Sequence, residues 1–296
     1  MSLNIFGFRA LWSPYFILFV IALTVMYFYL IGPGRKHFKE AGDVSLKQRV
    51  YFVLAMVMLY ISLGSPLDLF GHISFSGHMA SMAILFLIVP PLLIFGIPVW
   101  GWNAFVHLPI VHPIMKFFTK PIISLVLFNT FFSLYHVPFI FDVIKTNAVY
   151  HAIVTSLIFV FAFFMYWPLL NQLPNWNQIN GLKKIGYILG NSVLITPACG
   201  LIIFAGTPLF ATYSNPDAWV QALSLCVPTD MLQGLSLTGP EMFTSMDLRE
   251  DQQLGGIIMK IIQELVYGSF LAYVFYEWAR KERENDQVDY SPEPIK

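Results

Sequence analysis

Seven stretches of mostly apolar residues run through this chain, and each approaches the roughly 20 residues that a helix needs to cross a bilayer. They cover 14–32, 50–66, 78–101, 121–137, 148–170, 185–207 and 255–278. A lipid-exposed segment of that length must pair its own backbone groups, so each stretch is predicted as an α-helix. Charge content points the same way. Only 11% of the 296 residues are charged and 57% are hydrophobic, against about 25% charged in a soluble domain. The predicted fold class is all-α: a polytopic membrane protein, a bundle of seven transmembrane helices.

Lys and Arg set the orientation, because they concentrate on the cytoplasmic side of such bundles. Thirteen fall in the first, third and fifth loops and the C-terminal tail, from Arg35 and Lys36 through Lys116, Lys120, Lys183 and Lys184 to Arg280 and Lys296. Three, Arg9, Lys145 and Arg249, fall on the other side, and Lys260 lies within the last span. The N-terminus is therefore expected outside and the C-terminus in the cytoplasm. The seven-span domain is read as 1–278, with the first span retained and not cleaved as a signal peptide. Residues 279–296 are read as a charged, disordered cytoplasmic tail. The long external loop, 208–254, is expected to hold short helices starting at Asn215-Pro216-Asp217 and near Pro240, with Trp219 at the membrane interface.

Several functions are excluded. Lys+Arg and Asp+Glu number 17 each, which rules out a basic nucleic-acid binder. Cys199 and Cys226 are too few for a disulfide framework and form no CxxC pair. Phosphate-loop, zinc-protease, serine-hydrolase and dinucleotide motifs are absent, so the chain is not read as an enzyme.

The topology sorts the seven histidines. His37, His107 and His112 fall in cytoplasmic loops and are read as solvated. His72, His78, His136 and His151 all fall at the outer ends of spans or beside them, at one membrane depth. Ionisable groups there are costly and turn inward. Met82 shares a helix face with His78, and Met79 and Met259 lie at the same level. Imidazole and thioether together suit Cu(I). The candidate metal ligands are His78, His136, His151, Met79, Met82 and Met259, with Asp251 and Gln252 behind them. Asp251 either orients an imidazole or caps a helix. The histidines form either a shared metal site or a hydrogen-bonded cluster tying span ends together. Lys260 and Glu264, four apart, are expected to form a structural ion pair.

Ordered motifs then accumulate. Gly77-His78-Met79 precedes Val89-Pro90-Pro91-Leu92-Leu93-Ile94-Phe95-Gly96-Ile97-Pro98. Leu134-Tyr135-His136-Val137-Pro138, Tyr150-His151-Ala152 and Tyr166-Trp167-Pro168 follow, and Asp251-Gln252-Gln253-Leu254-Gly255-Gly256-Ile257-Ile258-Met259 comes last. In this order and spacing the chain resembles the polytopic CtaG family of bacterial cytochrome c oxidase assembly factors. The resemblance implies a multi-pass protein of the bacterial cell membrane that acts in maturing haem–copper oxidase at its copper centres. It implies oxidase subunits as partners, with a copper chaperone as a further candidate. Two positions depart from the family pattern: Met82 and Thr155 stand where a second histidine is expected, four residues after His78 and His151. A copper transporter and a haem-handling bundle are the alternatives. A transporter is disfavoured because the candidate ligands gather at one face and the inner halves of the spans read as apolar.

Overall fold

The computed structural model describes residues 1–38, 41–174, 176–179 and 181–289, and among these it contains helices and no strands. Six helical segments are long and apolar enough to cross a membrane: Leu3–Ile31, Leu46–Ile73, Phe75–Gly96, Ala148–Leu170, Leu182–Ile203 and Leu248–Arg280. A seventh is the bent pair Val111–Phe118 and Pro121–Tyr135, with 86° between its halves. The bundle fits a multi-pass membrane protein.

Most departures from the expected boundaries trace to proline and serine. A 3-10 turn at Leu3–Phe6 leads into α1 (Gly7–Trp12) and α2 (Pro14–Ile31). The second span, α3 (Leu46–Gly64), opens with a capping box between Ser45 and Gln48. Ser65-Pro66 then starts α4 (Pro66–Ile73), and the Ser74 hydroxyl caps α5 (Phe75–Ala83). The third span therefore begins a turn earlier than expected. It passes through a π-helical turn at Ile84–Ile88 into α6 (Val89–Gly96).

Pro91 has no N–H to give the carbonyl of Leu87. The buried Tyr166 hydroxyl donates to that oxygen at 3.1 Å instead. Ile97 precedes Pro98 and is extended, so the span ends at Gly96 and the remaining apolar residues form α7 (Val99–Val106). A Cβ on Gly96 would stand 2.7 Å from the Phe52 backbone nitrogen. Glycine is thus what lets α6 lie against α3.

The fourth span, α9 (Pro121–Tyr135), is only 15 residues long and follows α8 (Val111–Phe118). After it come α10 (Pro138–Lys145), α11 (Ala148–Leu170) and α12 (Leu182–Ile203). The loop after α12 carries α13 (Ala211–Ser214), α14 (Pro216–Leu223) and α15 (Thr229–Gln233), with a single 3-10 turn at Pro240–Met242. Asn215 caps α14 as its sequence indicates.

Trp219 departs from expectation. It is fully buried, its indole N–H donating to the Ile73 carbonyl at 3.1 Å, so it anchors the loop to α4 and not to the membrane interface.

The last helix, α16 (Leu248–Asp289), packs along α5 and α12 and starts about two turns before the expected span. It also continues through the segment read as a disordered tail. Ala279, Arg280, Lys281, Glu282, Arg283 and Glu284 are all strong helix formers, and only 290–296 of that tail lie outside the described residues.

Lys260 and Glu264 pair at 2.6 Å, with Thr196 and Ser192 of α12 bonded to them. The halves of the spans away from the four clustered histidines are less apolar than expected. Asn129 on α9 bonds Asn191 on α12 at 2.9 Å, and Ser124 bonds Tyr187 at 3.0 Å. These are neutral pairs that join neighbouring helices.

Candidate functional site: paired imidazoles at one end of the bundle

α5 brings His78 to a point where α9, α10 and α11 end or begin. The ring of His78 lies 6.3 Å from that of His136, which follows the last residue of α9. Both side chains are buried. A second pair forms beside the first: the His72 ring on α4 lies 5.8 Å from that of His151 on α11. The two pairs are joined through backbone, because a Cβ on Gly71 would stand 3.1 Å from the His78 Cα. Tyr135 and Phe141 close over His78, with ring centroids 5.9 and 5.1 Å away. Phe75, Phe210 and Tyr213 extend this aromatic wall.

The hydrogen bonding is unbalanced. His136 Nδ1 lies 2.8 Å from the Phe132 carbonyl, which can only accept, so Nδ1 carries the proton and Nε2 keeps a free lone pair. That Nε2 is buried and has no partner. Neither do His78 Nε2, His151 Nδ1, Thr155 Oγ1 or the Tyr135 hydroxyl. Each such orphan costs roughly 1–3 kcal/mol, so a cluster of five calls for a reason beyond packing. An imidazole fixed through one nitrogen with the other bare is the state a metal ligand adopts.

The ligand set is smaller than the sequence suggested. Among the described residues no three His, Cys, Asp or Glu side chains lie close enough together to hold an ion. The available set is the His78–His136 pair, with Met82 buried one turn along α5. Two imidazoles and a thioether match Cu(I), which accepts few, soft donors.

Met79 faces elsewhere: it packs on α16, where a Cβ at Gly255 would stand 3.1 Å from its Cγ. Met259, fully buried, lies one turn beyond Gly255 on the same helix.

Asp251 does not orient an imidazole. Its carboxylate accepts from the Phe75 N–H at 2.7 Å and from the Ser76 N–H and hydroxyl. The first turn of a helix has unpaired N–H groups and a positive dipole end, so a buried carboxylate finds its counterpart there. Asp251 thus fixes the helix that carries His78. Gln252 accepts from the Leu209 N–H at 2.7 Å and donates to the Ile202 carbonyl, joining α16 to the end of α12.

The loop after α12 seals the site. Asp142 accepts from the N–H groups of Ala211 and Thr212 and from the Thr212 hydroxyl. Tyr213 donates to the Gly71 carbonyl at 2.8 Å, and His72 Nδ1 lies 3.0 Å from the Ala222 carbonyl.

Lys145, also buried, ends α10 beside the histidines. Burial lowers its ammonium to about 8, against an opposing pull from Asp68. Sequence reasoning left out Lys145 and the His72–His151 pairing. The signals for the pairing are Ser65-Pro66 and Ser74, which start helices in the segment between the second and third apolar runs.

The chain matches the family model of the cytochrome c oxidase caa3 assembly factor over residues 10–281. It belongs to that family. No curated protein and no solved structure matches it. The family's role is assembly of the oxidase, and the assembly-factor class points to a non-catalytic protein. The motif residues quoted for the resemblance all lie within the matched region.

Proposed function

We propose that this caa3 assembly factor serves copper-centre formation in cytochrome c oxidase, on the outer face of the membrane. Cu(I) is its cargo. His78 and His136 would hold the ion through their Nε2 atoms, with the Met82 thioether as a further donor. The observation that supports this reading is the pair of buried imidazole nitrogens without partners, on rings 6.3 Å apart. Cu(I) would satisfy them without a proton, and the aromatic wall would keep water from the ion. Asp251 holds α5 in register, so that His78 stays opposed to His136. The partners are the oxidase subunits that receive the metal and a copper chaperone that delivers it.

The test is a chromosomal His78→Ala or His136→Ala variant. Cytochrome c oxidation by its membranes should fall to the level of a deletion strain, while this protein and the oxidase subunits remain at normal amounts on immunoblots. Wild-type oxidation rates would reject the copper role. Disappearance of the protein itself would make the histidines structural.

A further inference from the structure

The opposite end of the bundle, where Lys and Arg concentrate, holds a second site of different chemistry. A cavity of ≈ 750 Å³ lies between α7, α8 and the segment after α11. His107, His112 and Lys116 line it, and among the described residues no carboxylate does. His112 and Lys116 are four apart on α8, so they share a face. The ring of His112 meets Trp176 edge-on at 5.3 Å, and the Asn177 side chain donates to the Lys116 carbonyl, which closes the far wall. Because α8 meets α9 at 86°, a membrane-crossing α9 places α8 along the bilayer surface.

Directly alongside runs an apolar groove of ≈ 570 Å³, lined by α2, α3, α6 and α7 residues that include Leu23, Leu30, Phe52 and Leu93. Trp100 lines both spaces. Its indole N–H is buried and has no partner, so a donor stands unused at the junction of a basic cavity and an apolar channel.

We infer that this junction binds an anionic phospholipid, with the phosphate in the His112–Lys116 cavity and an acyl chain in the groove. The three parts match that one ligand. The Lys116 ammonium and the His112 imidazole N–H take the phosphate oxygens, the Trp100 N–H takes an oxygen at the phosphate–glycerol level, and the groove buries methylenes at about 0.8 kcal/mol each. The ligand is also the surrounding solvent, so the site fills from the bilayer without an entry path. A basic pocket between helices on this side of a membrane protein is the expected form of an anionic-lipid site.

The intact chain, purified in detergent and stripped of lipid, is titrated with phosphatidylglycerol, phosphatidylcholine or inorganic phosphate and read by native mass spectrometry. Phosphatidylglycerol should be retained about tenfold better than phosphatidylcholine, a difference expected from one or two charge-assisted hydrogen bonds. The double variant H112Q/K116Q should lose that preference. Trp100→Phe, which keeps the ring and removes only the N–H, should weaken retention severalfold; it decides the matter if the double variant does not fold. Equal retention of the two lipids, or full retention by a folded H112Q/K116Q and by Trp100→Phe, would overturn the inference. Displacement of phosphatidylglycerol by millimolar phosphate would also overturn it, since the cavity would then be a free-phosphate site.

Discussion

Each end of this bundle carries paired histidines, and the two ends have opposite physical characters. At one end His78 and His136 are buried among aromatic rings, each with its Nε2 unpartnered. At the other, the rings of His107 and His112 lie 5.8 Å apart, a nearly equal spacing, but both side chains reach solvent beside a lysine. Separation between rings therefore does not distinguish a metal site from a solvated pair. Desolvation of an unpartnered ring nitrogen does, because each ring of the buried pair carries one that calls for a ligand. Among the described residues no carboxylate lines the His107–His112 cavity, which points that end to an anion instead.

The largest expected contrast is in copper binding. His78→Ala or His136→Ala should weaken Cu(I) affinity by at least about 100-fold, more than loss of a supporting hydrogen bond would. His107→Ala and His112→Ala should leave it unchanged. Competition with a Cu(I) chelator on the purified protein measures both. Met82→Leu conserves volume, so it should leave thermal stability almost intact while weakening Cu(I) by roughly tenfold, about 1.4 kcal/mol.

Stability separates the pair from its support. Asp251→Ala strips a buried helix start of its acceptor and should cost about 2–3 kcal/mol. Denaturation melts should show a lower midpoint and immunoblots less protein. His136→Leu removes an unsatisfied nitrogen and should cost far less; a loss equal to that of Asp251→Ala would mark His136 as structural.

Lys145 gives a smaller, pH-dependent effect. Its folded value, about 8, lies below the ordinary lysine value of 10.5. Between those values the unfolded chain binds more protons than the folded one, so stability rises with pH across that window. The melting temperature should climb from pH 8 to pH 10.5 in the wild type and stay flatter in Lys145→Met. That variant should also bind Cu(I) more tightly at pH 7, because a buried positive charge near the ion is gone.

Much of this architecture was legible because lipid leaves few choices. Apolar runs had to be helices, and charges in loops divided the histidines into two groups. Membrane depth grouped His78 and His136 with His72 and His151, without saying which ring faces which. The boundaries were less legible. A proline at Pro98 ends the third span within a continuous apolar run, and Ser65 and Ser74 start helices where polarity suggested a loop. The role of Asp251 was open for a related reason: a carboxylate near an imidazole and one at a helix start look alike in sequence. Only the placement of α5 against α16 decides between them. Trp219 and the His72–His151 pair were hidden by the loop itself, which folds back over the bundle through long-range contacts with no local periodicity.

The central claim is that the His78–His136 pair exists to hold Cu(I). X-ray absorption spectroscopy of the reduced, copper-loaded protein tests it most directly, since it reports donor atoms and not activity. One copper per chain is predicted, with nitrogen and sulfur scattering in the wild type, loss of the sulfur contribution in Met82→Leu, and no bound copper when both histidines are replaced. Copper that binds with unchanged spectra after removal of His78 and His136 would contradict the account.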